Sequence, residues 1–145
     1  MQRRKSKPIE RKMLKITADT NILISAAITK GNEFEILRLA KSGKINLILS
    51  MQILKEFKEV ISRPKFGFSE EQTSRIFKHV LSICTIVAPS ISISIIKEDP
   101  ADNRILECAE TGKVDYIVSG DAHLLDLKNY KGIGILRASD ILKLQ

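Results

Sequence analysis

Three short stretches of the chain begin with an aspartate that is followed by two aliphatic residues three and four positions later. They are DTNIL at residues 19–23, DNRIL at 102–106 and DAHLL at 121–125. Carboxylates that meet in one cleft repel each other, so a cluster of them implies raised pKa values or a bound cation. Oxygen ligands without His or Cys favour Mg²⁺ or Mn²⁺. The spacing therefore raises the hypothesis of a metal site built from the three leading aspartates.

Each of these aspartates also has a purely structural explanation as a helix cap. A carboxylate at the N-cap accepts a backbone N–H of the first turn and suits the positive end of the helix dipole. The aliphatic residues that follow would then be the first to face the sheet. For any one aspartate alone, capping is the simpler interpretation. The case for chemistry depends on whether the elements of the fold bring all three together.

Apolar strands and amphipathic helices alternate along the chain. The pattern predicts strands at 13–18, 45–50, 85–89, 115–120 and 132–138, a candidate edge strand at 91–97, and helices after residue 19 and at 32–42, 51–63, 69–82, 102–112 and 121–127. Parallel strands need a crossover long enough to hold a helix. The fold class expected is therefore α/β, as a three-layer α/β/α sandwich with a mainly parallel central sheet.

The predicted elements place the aspartates at one edge of that sheet. Asp19 and Asp121 directly follow strands, and ligands of open α/β sheets bind at the carboxyl ends of the strands. Asp102 begins the helix that leads to the next strand, so we expect it at the same edge. Asp99 is an alternative to Asp102, whereas strand alternation turns Asp115 away from the cleft.

Three longer stretches carry a resemblance to a known family. ITADTNILISA at 16–26 matches an opening strand motif, SMQILKEFKEVISRPKF at 50–66 a second motif, and EDPADNRILECAETGKVDYIVSGDAHLLDL at 98–127 a third and a fourth. The motifs resemble the PIN domain family, and specifically its branch of toxins from toxin–antitoxin pairs. The resemblance covers nearly everything from Met13 to Leu144.

The resemblance implies a metal-dependent ribonuclease with a four-acid catalytic site. The matching acids are Asp19, Glu56, Asp102 and Asp121. Asp19, Asp102 and Asp121 would hold Mg²⁺ or Mn²⁺, and Glu56 would complete the site. Asn21 and Ser119 match the polar positions that accompany the first and last acids, where they would orient water or a ligand carboxylate.

Three of the remaining candidates have plainer explanations that stay open. Glu56 lies among Lys55, Lys58 and Glu59, so a solvated helix face is an alternative, and Glu59 is a substitute for it. An all-oxygen site does not need imidazole, so His79 and His123 are interpreted as surface or core residues.

The net charge of +7 is concentrated at the start of the chain. Residues 1–12 are expected to form a basic, flexible tail ahead of a single PIN-like domain at 13–145. A cationic tail attracts polyanions through their phosphates. We therefore predict that its cations bind the RNA backbone, in particular Arg3, Arg4, Lys5 and Lys7.

Cellular location and partners follow partly from composition and partly from the resemblance. Cys84 and Cys108 are isolated, which fits buried thiols in a reducing cytoplasm. No stretch is apolar enough to be a signal peptide or a membrane span. The resemblance implies RNA with single-stranded regions as substrate, an antitoxin protein as partner and a homodimer.

Two other classes of protein fit parts of the pattern. One is a non-catalytic PIN-fold module that binds nucleic acid or protein, in which the acids only cap helices. The other is a phosphorylated receiver-type domain, which also gathers acids and Mg²⁺ at a strand edge. A receiver needs a lysine on a late strand, where this chain has only Arg137.

Overall fold

Strands and helices alternate along the chain as the hydrophobic pattern predicts. The computed structural model describes residues 13–93 and 100–145. The strands are β1 Leu14–Ala18, β2 Ile45–Ser50, β3 Cys84–Val87, β4 Tyr116–Val118, β5 Asn129–Tyr130 and β6 Ile133–Leu136. The helices are α1 Thr20–Ile28, α2 Asn32–Lys41, α3 Met51–Ile61, α4 Glu70–Ile83, α5 Pro100–Gly112, α6 Ala122–Leu127 and α7 Ala138–Lys143, with one 3₁₀ turn at Pro64–Phe66.

The strands form one sheet in the order β3-β2-β1-β4-β6-β5. All neighbouring pairs are parallel except β5 with β6, which are antiparallel. The chain leaves β1 towards β2 and β3, then returns to the other side of β1 for β4 and β6. Right-handed crossovers therefore place α1 to α4 on one face and α5 with α6 on the other. The predicted α/β sandwich with a mainly parallel sheet is confirmed.

The centre of the sheet is buried on both faces, as parallel sheets require. Ile16 and Ala18 of β1 and Leu47 and Leu49 of β2 have no exposed surface. Phe57 of α3 is also fully buried against this layer. The site described below rests on a rigid layer because β1, β4 and α3 all belong to it.

Two helix ends are set by local features of the sequence. Ser69 and Gln72 form a reciprocal capping box at the start of α4, with hydrogen bonds of 3.1 and 2.8 Å. Gly43 ends α2 with φ +78°, a conformation that favours glycine. Helix boundaries here follow from side chains within a few residues of each end.

Some predicted elements differ from the structure or lie outside it. Strand β5 was not predicted. Residues 91–93 form no strand, and 94–99, the rest of the candidate edge strand, lie outside the described residues. Residues 1–12 also lie outside them, so RNA binding by the basic tail stays a prediction. Within the described residues, no helix is long and apolar enough to cross a membrane.

Candidate active site

Asp19 stands where β1 ends and α1 begins. It is the N-cap of α1, and its Oδ1 accepts a hydrogen bond of 3.0 Å from the backbone N–H of Ile22. Its Oδ2 accepts a short hydrogen bond from the hydroxyl of Ser119. Only 4% of the residue is exposed. The carboxylate is therefore buried and held in one orientation by two donors.

Ser119 connects Asp19 to Asp121 at the end of the neighbouring strand. Strands β1 and β4 pair in parallel, so their carboxyl ends lie side by side. The Ser119 hydroxyl donates to Asp19 and accepts a 2.9 Å hydrogen bond from the backbone N–H of Asp121. Asp121 in turn caps α6, accepting from the N–H groups of His123 and Leu124. One buried hydroxyl thus links the carboxylate of Asp19 to the backbone of Asp121.

Asp102 lies in the first turn of α5 and is 5% exposed. The helix begins two residues earlier, at Pro100. Proline suits the first helical position, because its φ is already helical and its missing N–H is not needed there. The capping interpretation is therefore correct for Asp19 and Asp121 but wrong for Asp102. Asp102 instead occupies the third helical position, where an acid suits the positive end of the helix dipole.

Glu56 reaches the same region from α3. Its Oε1 accepts a 2.6 Å hydrogen bond from the hydroxyl of Thr20, the residue after Asp19. Sequence reasoning missed Thr20, because nothing local to it indicates a contact with a helix 36 residues away. The alternative acid Glu59 is exposed, with its carboxylate 3.7 Å from Arg63.

These acids share a small polar cleft. Its volume is about 270 Å³, and its lining includes Asp19, Asn21, Glu56 and Asp102. Asp121 is near enough to Asp19 for their charges to interact. Ligand atoms of Asp102, Asp121 and His123 also lie within 4.8 Å of one another. Asp102 therefore belongs both to the cleft and to a group with Asp121.

His123 is closer to this site than the sequence indicated. The residue is on the surface, as interpreted, but its Nδ1 lies 3.7 Å from Oδ1 of Asp121. It can therefore offer a nitrogen ligand beside the carboxylates. Its position two residues after Asp121 was the available signal.

The remaining candidates lie elsewhere or outside the described residues. Asp115 is exposed before the amino end of β4, where its Oδ2 accepts a 2.8 Å hydrogen bond from the N–H of Lys15. Asp99 lies outside the described residues. His79 lines a separate, mainly apolar cavity of about 550 Å³ between α1, α2 and α4. That cavity is larger than the cleft, but its lining contains no carboxylate and cannot hold a hard cation by itself.

The pKa of Asp19 reflects the burial and the negative charge of the cleft. Burial raises the pKa of this carboxyl from 3.8 to about 6, although the donors Ser119 and Ile22 oppose the shift. The charges of Asp121 and Glu56 raise the pKa of Asp19 further. A divalent cation among the carboxylates would offset both the burial and the repulsion. The carboxylate oxygens suit a hard divalent cation, whereas the imidazole of His123 also suits transition metals.

The raised pKa of Asp19 predicts how the stability of the metal-free protein depends on pH. Because the folded state binds the Asp19 proton more tightly, this stabilisation is complete below pH 3.8 and is lost as pH rises through about 6. The expected contribution is about 3 kcal/mol. Urea unfolding in EDTA, between about pH 4 and pH 7, should show this loss in the wild type and not in Asp19→Asn. Parallel pH profiles for the two proteins would contradict the assignment.

The fold and the site together define a class of protein. It is an α/β domain with acids at the carboxyl ends of adjacent parallel strands and further acids from two helices. The family model for the PIN domain matches residues 15–123, so the chain belongs to the PIN domain family. A search of curated proteins gives no significant match.

Two solved structures share the fold at low sequence identity. One is VapBC2 from Rickettsia felis bound to a DNA fragment from their promoter, with a TM-score of 0.62, 15% identity, and coverage of 84% of this chain and 97% of that chain. The other is PAE2754 from Pyrobaculum aerophilum, with a TM-score of 0.64, 17% identity, and coverage of 91% and 90% respectively. These likenesses show that the PIN architecture extends over most of the chain.

Proposed function

We propose that this protein is a divalent-metal-dependent endoribonuclease that hydrolyses RNA phosphodiester bonds with Mg²⁺ or Mn²⁺. The observation that carries the proposal is the convergence of four acids from separate elements. Asp19, Glu56 and Asp102 line one cleft, and Asp121 is tied to Asp19 through Ser119. A purely structural role does not require acids so far apart in sequence to meet.

Each residue has a distinct part in the proposed reaction. Asp19, Asp102 and Asp121 would hold the cation, which supplies a nucleophilic water at neutral pH and stabilises charge on the phosphate and leaving oxygen. Ser119 keeps the Asp19 carboxylate oriented, and Asn21, exposed at the rim, can orient a water or a phosphate oxygen.

Glu56 is the acid best placed to act on water. It is half-buried, and its Oε1 accepts a hydrogen bond from Thr20. A carboxylate held in this way can accept a proton from the attacking water while the other acids keep the cation. We therefore assign Glu56 the role of base, which also completes the four-acid site.

The biological setting proposed is that of a toxin in a toxin–antitoxin pair. The motif resemblance points to that branch, and VapBC2 is among the solved structures that share this fold. The partners would be a protein antitoxin, single-stranded regions of an RNA target and a second copy of the chain. Both cysteines are free, with Cys108 buried and Cys84 only partly so, in keeping with action in the cytoplasm.

A non-catalytic binding module remains the second candidate because of one observation. Asp19 and Asp121 each cap a helix, so each has a role that needs no cation. Under this alternative, metal removal would not alter what the protein does.

Cleavage of a mixed-sequence single-stranded RNA by purified protein tests the proposal. We expect cutting in Mg²⁺ or Mn²⁺ that stops in EDTA and returns when the cation is added back, because the acids alone cannot stabilise charge on a phosphate. Gel analysis of 5′-labelled RNA measures it. RNA that stays intact while the protein binds no metal would favour the binding module.

A further inference from the structure

The acidic cleft has two cations on its rim. Arg63 and Lys65, which we call the basic rim, flank Pro64 just after α3 and line the cleft together with Asp19, Glu56 and Asp102. RNA carries one negative charge per nucleotide, so acids alone would repel the phosphates on either side of the scissile one. Cations beside the acids are what a polyanionic strand needs in order to lie across such a cleft.

The backbone of the basic rim is held in place by local interactions. Pro64 begins a 3₁₀ turn, and Gly67 ends it with φ +70°. The N–H of Phe66 donates to the carbonyl oxygen of Arg63 at 3.1 Å, and the N–H of Gly67 donates to the carbonyl oxygen of Pro64 at 3.0 Å. Phe66 is partly buried and packs against the core. The two cations therefore project from a turn with a defined conformation.

The end of α3 does not oppose an anion as strongly as a bare helix C-terminus would. The hydroxyl of Ser62 donates to the carbonyl oxygen of Lys58 at 2.6 Å. The N–H of Arg63 donates to the carbonyl oxygen of Val60 at 3.1 Å. These hydrogen bonds occupy carbonyl groups that the helix itself leaves without a partner. Arg63 also brings its positive charge to the negative end of the helix dipole.

Both side chains can exchange their present contacts for phosphate. Arg63 is 52% exposed, and its contact with Glu59, itself 74% exposed, is 3.7 Å long. Ion pairs of this kind contribute little to stability. Lys65 is exposed, and its Nζ lies 5.1 Å from the centroid of the Phe66 ring. Neither cation forms an ion pair with Asp19 or Glu56.

We propose that Arg63 and Lys65 bind the phosphate backbone of single-stranded RNA next to the scissile phosphate. The strand then enters the cleft over the turn after α3, and the basic rim sets its position relative to the acids. This inference rests on the proposed ribonuclease function. It places the substrate-binding cations inside the folded domain, in addition to any that the N-terminal tail provides.

The test is the salt dependence of RNA binding by the full chain in EDTA, where no cleavage occurs. The probe is a fluorescent mixed-sequence single-stranded RNA, and the variant is Arg63→Gln with Lys65→Gln. Two lost phosphate contacts should reduce the slope of log K against log salt by about 1.4. Between about 50 and about 200 mM salt, the affinity of the wild type should therefore fall about sevenfold more than the affinity of the variant.

Arg75→Gln with Lys78→Gln is the matched control. Arg75 forms the same kind of contact as Arg63, to a glutamate four residues earlier at 3.8 Å, and both control cations are exposed on α4 away from the cleft. The control has the same net charge as the rim variant, but its cations do not line the cleft, so it should keep the wild-type slope. Arg63→Lys with Lys65→Arg keeps both charges and should restore most of the binding.

Cleavage by the same proteins separates this inference from the proposed function. With Mg²⁺ or Mn²⁺, the rim variant should raise KM about tenfold, as expected for a lost contact of about 1.4 kcal/mol, and largely preserve kcat. If the wild type cuts RNA and the rim variant matches the control in slope and KM, the basic rim is wrong and the nuclease stands. If the wild type cuts nothing but the rim variant alone loses slope, the nuclease is wrong, and Arg63 and Lys65 bind RNA without positioning it for cleavage.

Discussion

Replacing Asp19 by Asn should lower the rate of metal-dependent RNA cleavage by about a thousandfold while the protein stays folded. The expected loss reflects the removal of one carboxylate ligand, and with it several kcal/mol of charge stabilisation in the transition state. Asp19 should have a large effect because it is buried, held by Ile22 and Ser119, and close to the charges of Glu56 and Asp121.

The same substitution separates catalysis from helix capping. Asn is about as good an N-cap as Asp, so the hydrogen bond to the N–H of Ile22 can persist. Asp19→Asn therefore keeps the cap on α1, removes the charge, and replaces the oxygen that accepts from the Ser119 hydroxyl with an amide N–H donor. Single-turnover cleavage rates measure catalysis, and metal titration measures cation binding. Thermal unfolding of the same preparation measures stability.

Asp115→Asn is the control for this experiment. Asp115 precedes β4 at the other edge of the sheet, and its Oδ2 accepts from the N–H of Lys15, which an asparagine oxygen can also do. We expect the Asp115→Asn variant to cleave RNA at the wild-type rate. If Asp19→Asn cuts as fast as Asp115→Asn, the activity does not belong to the cleft. Loss of metal binding without loss of cleavage would have the same meaning.

Replacing Phe57 by Ala should have the largest effect on stability, about 3–5 kcal/mol. Phe57 is on α3 next to Glu56 and has no exposed surface. Its removal leaves a cavity between α3 and the sheet that the packed neighbours cannot fill. For a domain of this size, the melting temperature should fall by roughly 10 °C.

Ile86→Ala provides the comparison, because Ile86 of the edge strand β3 is 45% exposed. Its effect should be much smaller, within about 1 kcal/mol. Urea unfolding of both variants measures the difference. Similar losses for the two residues would mean that α3 is not packed on the sheet as the structure shows. A stable Phe57→Ala protein with normal cleavage would also contradict the role of α3 in positioning Glu56.

Short-range signals were enough to predict most elements and the positions of two acids directly after strands. The positions of Asp19 and Asp121 follow from apolar strands that end at a capping residue, and most helix and strand positions follow from the hydrophobic period. These predictions succeed because each depends on the chain within one helical turn. The family motif then indicated Glu56 and Asp102, which the local pattern left open.

Where prediction failed, the deciding contact was distant or involved few residues. Strand β5 has two residues and exists only by pairing with β6, after a turn in which Lys131 and Gly132 have positive φ. Its sequence has no alternating pattern long enough to recognise. The start of α5 at Pro100 was missed because the aspartate at 102 was taken as the cap.

By itself, the sequence determined the α/β class, the alternation of elements and the presence of acids at the ends of strands, since hydrophobic period and caps are local properties. Only the tertiary structure decided which acids meet. Sheet order puts β4 beside β1, so that Ser119 reaches Asp19 across 100 residues, and the packing of α3 brings Glu56 to Thr20 while Glu59 stays in solvent. It also placed the basic rim beside the acids. Such contacts depend on the path of the whole chain, and no window of a few residues contains them.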